Sequence, residues 1–248
     1  MNKILIIIPA RMKATRLPNK PLLDIHGEPM IVHVWRRATA SNVGRVVVAT
    51  DTEAIAKVIS AAGGEVVVTS ERHTSGTDRV FEAVNKIDPD SQAKIVVNLQ
   101  GDLPVFDPPL IASCLSPLKD SAVDIATLAS EITFKRENTT SNVVKVVGTT
   151  CGTSIQNTLR ALYFTRATAP YGKGSLYHHI GIYAYKRKAL KRFSMFKPST
   201  LELRENLEQL RALENGMRID VAITNTIPLS IDTQADLEHV REIFSHPR

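Results

Sequence analysis

The chain has 248 residues, 43% hydrophobic and 23% charged, with a formal net charge of +6. That length suits one large α/β domain or two smaller ones, and no apolar stretch approaches the ~20 residues that span a bilayer, so no membrane partner is expected. Cys114 and Cys151 are too few for a disulfide framework or a zinc site, and scattered basic residues with only 5% aromatics argue against a nucleic-acid partner.

A single lysine precedes the first apolar run and no small-residue cleavage site follows it, so a cytoplasmic location is expected rather than secretion. Lys3 to Ile8 reads as a buried strand, apolar at nearly every position, as a strand covered on both faces must be. A loop follows that places Arg11, Lys13, Arg16 and Lys20 between Pro9, Pro18 and Pro21. It lacks the glycines of a phosphate-cradling loop, so it would grip a polyphosphate with side chains. The same charges also suit a solvated basic loop.

Spacing then predicts a helix over Met30–Ser41, a strand over Arg45–Thr50 and a helix over Thr52–Ala62 stopped by Gly63-Gly64. A strand at Glu65–Thr69, a helix at Thr77–Ile87 and a strand at Lys94–Leu99 follow. Next come a helix at Pro108–Leu118 and a strand at Asp124–Ala129. This alternation argues a mostly parallel sheet whose strand C-termini, and therefore the ligand, lie along one edge.

Glu131–Asn142 reads as loop, and Val143–Val147, Arg160–Thr165 and His179–Tyr185 as strands of an antiparallel insertion, the first two separated by a turn around Gly148–Gly152. A long helix over Leu201–Glu214, a strand over Arg218–Thr224 and a last helix over Thr233–Phe244 complete the chain. One domain spanning 1–248 is expected, with a subdomain at about 131–200.

Asp102 closes Gln100-Gly101-Asp102 at a strand end, and Asp232 precedes the last helix. Each suits a turn cap; together on one sheet edge they would suit a hard divalent cation. Gly101 would let the backbone approach a ligand. Thr74 to Arg79 is a helix start that suits either a base or phosphate contact or a plain cap. His178-His179 lacks zinc-pair spacing, and Glu202, Glu205, Glu208 and Gln209 read as a solvated helix face.

The opening I-I-P-A-R-M-K-A-T-R-L-P-N-K-P-L resembles the signature of the sugar-acid cytidylyltransferases, most narrowly those acting on 3-deoxy-manno-octulosonate (KDO). The likeness continues through H-x-S-G-T-D-R, V-N-L-Q-G-D, N-V-V-K-V-V, H-H-I-G-I-Y-A-Y, L-E-x-x-E-x-L-E-Q-L-R and I-D-T-x-x-D-L-E, covering essentially the whole chain. It implies a nucleotide-diphospho-sugar-transferase-like, Rossmann-like α/β fold with an antiparallel dimerisation subdomain. It also implies transfer of CMP from CTP to KDO by a magnesium-dependent homodimer, with pyrophosphate released. Carried over residue by residue, it assigns Pro9, Ala10, Arg11, Ser75, Gly76 and Arg79 to the cytidine end of CTP. Lys20, Arg16 and Asp102 fall to catalysis, and Asp102 with Asp232 to magnesium. The KDO pocket takes Gln100, Arg166, His179, Tyr183, Glu208 and Gln209. Two departures stand out: Leu103 follows Q-G-D where an acidic residue is common, and the Pro170–His178 segment is short.

Overall fold

The computed structural model describes residues 3–13, 17–150 and 157–245. The chain forms two compact units, Met1–Ile111 with Pro228–Arg248, and Ala112–Ile227.

The first unit opens with β1 (Ile4–Ala10), in which Ile6, Ile7 and Ile8 have no solvent exposure. Each such side chain contributes roughly 1.5–3 kcal/mol on burial. A small hairpin of β2 (Asp24–Ile25) and β3 (Glu28–Pro29) turns at His26 and Gly27, both at positive φ. Chain order then gives α1 (Met30–Ala40), β4 (Arg45–Thr50), α2 (Glu53–Ala61), β5 (Glu65–Val68), α3 (Gly76–Ile87) and β6 (Ile95–Asn98). The strands lie in the order β5-β4-β1-β6 and pair in parallel. Ala10 aligns with Thr50, and Ile7 with Asn98, so the C-terminal ends of β1, β4 and β6 share one edge. Helices α1 and α3 bury Ile31, Val34 and Ala38, and Val80, Ala83 and Val84, at helical spacing.

Helix α4 (Pro109–Leu115) leads into the second unit, with β7 (Ile125–Glu131), α5 (Lys135–Thr139), β8 (Lys145–Thr150), β9 (Thr158–Thr165) and β10 (Tyr177–Lys186). After these come α6 (Arg187–Ser194), α7 (Thr200–Glu205), α8 (Leu210–Glu214) and β11 (Ile219–Thr224). The order is β10-β7-β11-β9-β8; β7 and β11 are parallel and the other pairs antiparallel.

The helix expected over Leu201–Glu214 is two helices. Asn206 adopts the left-handed region (φ 54°, ψ 48°) and ends α7, while Arg211 of α8 folds back onto Glu202, with Nε donating to Oε2 at 2.8 Å. That buried ion pair outweighs the continuous helical spacing, and Glu202 is 8% exposed rather than on a solvated face. The stretch Glu131–Asn142, expected as loop, holds the short α5, and α6 was not expected at all. Gly148 lies within β8 at a register shift instead of in a turn; a Cβ there would sit 3.0 Å from the Arg160 carbonyl oxygen. Cys151 lies outside the described residues.

The chain finishes on the first unit. Leu229 N–H donates to Val105 O at 2.9 Å and Ile231 N–H to Asp102 O at 3.0 Å. Ile231 and, from α9 (Gln234–Ser245), Leu237 and Val240 then pack into a cluster with Leu17, Ile25 and Met30.

Candidate active site

The backbone bond between residues 231 and 102 brings Asp102 and Asp232 together, although the two lie in distant parts of the chain. Lys20 stands between them at the start of a 3-10 turn, behind Asn19 in the left-handed region. Its Nζ donates to Asp102 Oδ2 at 2.8 Å, Asp232 Oδ1 at 3.1 Å and Ile231 O at 2.8 Å. Burial alone would lower its pKa, but the charges and hydrogen bonds of Asp102 and Asp232 raise it above the ordinary value, so the ammonium is permanent. Asp236 fixes the neighbouring backbone: its Oδ2 accepts from the N–H groups of Asp232 (3.0 Å) and Thr233 (2.8 Å). Asp236 N–H in turn donates to Thr233 Oγ1 at 3.2 Å, a reciprocal cap that starts α9.

Two carboxylates converging on one cation suit magnesium, which takes one or two carboxylates and fills its other positions with water and substrate phosphates. Among the described residues no group of three or more His, Cys, Asp or Glu forms a closed cage. The donor set therefore fits a cation shared with a phosphorylated ligand.

These residues line a cleft of about 410 Å³, within the range of small-molecule sites. Pro9, Ala10 and Arg11 at the end of β1, Ser75, Gly76 and Arg79 at the start of α3, and Gln100 to Asp102 after β6 all face it. Arg11 is exposed. Ser75 caps α3, its side chain accepting from Asp78 N–H at 3.1 Å. Arg79 is already engaged: it donates to Asp51 Oδ2 at 3.1 Å and to Thr69 Oγ1 at 2.6 Å, with 3% of its side chain exposed. It braces the cleft wall. Packing by itself already demands glycine at 101, since a Cβ there would stand 2.7 Å from Pro9 O. Gln100, expected with the KDO set, lines this cleft beside Lys20. Arg16 lies outside the described residues. His73 also lines the cleft and went unassigned in the sequence reading; it contacts Glu82 Oε2 through Nε2.

In the second unit, His179 is buried and its Nε2 lies 3.0 Å from Thr127 Oγ1, which also reaches Ile182 O at 2.8 Å. Burial, aided by His178, pushes its pKa down to about 3, so the ring is neutral. An irregularity in β10 between Ile180 and Tyr183 accompanies the approach of the His179 and Tyr183 rings to 5.4 Å. Burial holds the Tyr183 hydroxyl protonated, with Tyr185 and the charge of Glu208 adding to the effect. Gln209 is 6% exposed and, among the described residues, its Nε2 has no hydrogen-bond partner. Arg166 follows β9, its Nε donating to Glu205 O and its Nη1 to Ser141 O, each at 3.0 Å.

Residues 5–219 match the family model described as cytidylyltransferase. A 3-deoxy-manno-octulosonate cytidylyltransferase of Rhodopseudomonas palustris (strain HaA2) is 60% identical over 243 residues, 98% of each chain. One of Rhizobium etli (strain CIAT 652) is 57% identical, covering 99% of this chain and 96% of that one. A solved structure of CMP:2-keto-3-deoxy-manno-octonic acid synthetase complexed with CTP superposes with a TM-score of 0.88 at 38% identity, over 98% of both chains. With a parallel α/β sheet and a carboxylate–lysine cluster at its C-terminal edge, the chain is a nucleotidyltransferase and belongs to the cytidylyltransferase family, in the branch whose relatives are named 3-deoxy-manno-octulosonate cytidylyltransferase.

Proposed function

We propose that this chain transfers CMP from CTP to the anomeric hydroxyl of KDO, giving CMP-KDO and pyrophosphate and activating KDO for lipopolysaccharide synthesis in the cytoplasm. The observation that carries the chemistry is Lys20 bridging Asp102 and Asp232 in the cleft; the choice of sugar rests on full-length identity of 60% to a relative named for it.

The KDO hydroxyl oxygen attacks the α-phosphorus as its proton passes to solvent, the bond from that phosphorus to the oxygen bridging the β-phosphate breaks, and pyrophosphate leaves in line. Arg11 and Lys20 carry the positive charge that faces the triphosphate, and Arg16 is assigned to the same duty by its place in the loop. Pro9, Ala10, Ser75 and Gly76 shape the nucleotide wall, braced by Arg79. Asp102 and Asp232 would hold magnesium, which when bound neutralises charge on the phosphoryl oxygens. No covalent intermediate is needed, because alignment and electrostatic stabilisation suffice for a phosphoryl group.

On the sugar side, Arg166 takes the KDO carboxylate, and His179, Tyr183, Glu208 and Gln209 take its hydroxyls. The buried, unpartnered Gln209 Nε2 supports this, since such a donor is costly unless a ligand satisfies it. Gln100 is assigned to KDO by the same family resemblance. The family resemblance assigns homodimer formation to the 131–200 stretch; sedimentation at micromolar concentration reads the mass of two chains, and a single-chain mass removes the dimer. Pyrophosphate release from CTP and magnesium tests the reaction. Turnover with KDO and none with N-acetylneuraminate is expected; the reverse preference overturns the substrate.

A further inference from the structure

Among the described residues the Arg166 guanidinium donates only to neutral oxygens. Nε donates to the main-chain carbonyl of Glu205 and Nη1 to that of Ser141. Among the described residues no carboxylate forms a close ion pair with it, so no carboxylate occupies the place an anionic ligand would take. The Glu205 carboxylate is directed elsewhere. Its Oε2 accepts from the Arg166 main-chain N–H at 3.0 Å, and its Oε1 accepts from Thr165 Oγ1 at 2.8 Å and Tyr163 OH at 3.3 Å.

Glu205 therefore grips the end of β9 at three points with its side chain and holds the guanidinium with its carbonyl. That carbonyl is free to do so because Asn206 turns left-handed and ends α7 there, leaving a helix-terminal acceptor without an intrahelical donor. Burial pushes the Glu205 carboxyl up, but the Arg166 N–H, Thr165, Tyr163 and the Arg166 charge together bring it below the ordinary range, so it accepts in all three bonds at neutral pH.

We propose that Glu205 is the positioning residue that sets the Arg166 guanidinium, hydrogen-bonded to main-chain carbonyls and to no carboxylate, to receive the carboxylate of the sugar-acid substrate. The arrangement separates two tasks. A carboxylate that paired directly with the guanidinium would fix it but cancel the charge the substrate needs. Glu205 fixes the main chain of Arg166 with its charged group and the guanidinium with an uncharged one. The proposal rests on the assignment of Arg166 to the KDO carboxylate.

Two variants test it by steady-state kinetics, varying CTP and KDO separately. In Glu205→Gln the amide carbonyl can stay on the Arg166 N–H while the amide NH2 faces two hydroxyls able to accept, so the fold is kept and only the charge is lost. Glu205→Ala removes every side-chain bond. KM for KDO should rise roughly tenfold or more in Glu205→Ala and less in Glu205→Gln, with KM for CTP within about twofold of wild type. In an Arg166→Ala background, which itself raises KM for KDO, Glu205→Ala should add nothing further. A wild-type KM for KDO in both Glu205 variants, beside an impaired Arg166→Ala, sinks the positioning role and leaves the Arg166 assignment standing. A wild-type KM for KDO in Arg166→Ala removes that assignment and the proposal with it. Equal loss towards both substrates, additive with Arg166→Ala, marks Glu205 as a structural group and also overturns it.

Discussion

Lys20 binds three oxygens from two carboxylates and a carbonyl; Asp102 follows β6, and Ile231 O and Asp232 arrive with the return of the C-terminal segment. Its pKa is raised, so the stability its contacts supply is fully present below about pH 10.5 and is lost only as pH rises through the higher folded value. Within the working range the ammonium is a fixed charge. Lys20→Ala and Asp102→Asn should each lower kcat by on the order of a hundredfold or more, while circular dichroism melts stay close to wild type because the cluster is partly solvated. Near-normal turnover by both variants would defeat the catalytic assignment. Arg79 gives the opposite lesson at this scale: in the sequence it looks like a ligand contact, but its guanidinium is already occupied by Asp51 and Thr69.

Helix α3 and the loop before it form one wall of the cleft, and Glu82 ties them together. It accepts from Ser70 N–H at 3.0 Å, pairs with Lys86 at 2.7 Å and contacts His73. Burial raises the Glu82 carboxyl, yet Lys86, the Ser70 N–H and His73 outweigh it and bring the pKa down from 4.5 to about 2. A depressed carboxyl stabilises the fold above its unfolded value and loses that contribution as pH falls toward the folded one. The stability of the wild type should thus drop between about pH 4.5 and 2 more steeply than that of Glu82→Gln in calorimetric scans. Parallel acid limbs in the two proteins would show that Glu82 does not tie the wall. Periodicity located α3 to within a residue, but the tie between helix and loop is a contact across nine residues that no periodic pattern marks.

At the scale of the whole molecule, the first unit is discontinuous, closed by Pro228–Arg248. Ile231 is fully buried and sits beside Asp232, one of the two carboxylates that meet Lys20. Ile231→Ala should therefore cost about 2–5 kcal/mol in urea unfolding, and a change below about 0.5 kcal/mol would show that the returning segment does not hold the unit closed. The parallel strands of this unit, the basic loop and the two candidate aspartates were legible in the sequence, because continuous apolar runs report strands buried on both faces and Gly, Pro and Asp mark the loops between them. The break at Asn206, by contrast, was hidden behind a continuous helical spacing, since a buried Arg211–Glu202 pair decides it. Sequence alone thus determined the parallel strands and helices of the first unit and which chemical groups the chain possesses. Tertiary structure decided which partner each charge meets: Lys20 meets carboxylates 82 and 212 residues away, while Arg166 is met by neutral carbonyls. The physical reason is that burial and periodicity are local properties of a chain, whereas the partner of a charge is set by chain return over long separations.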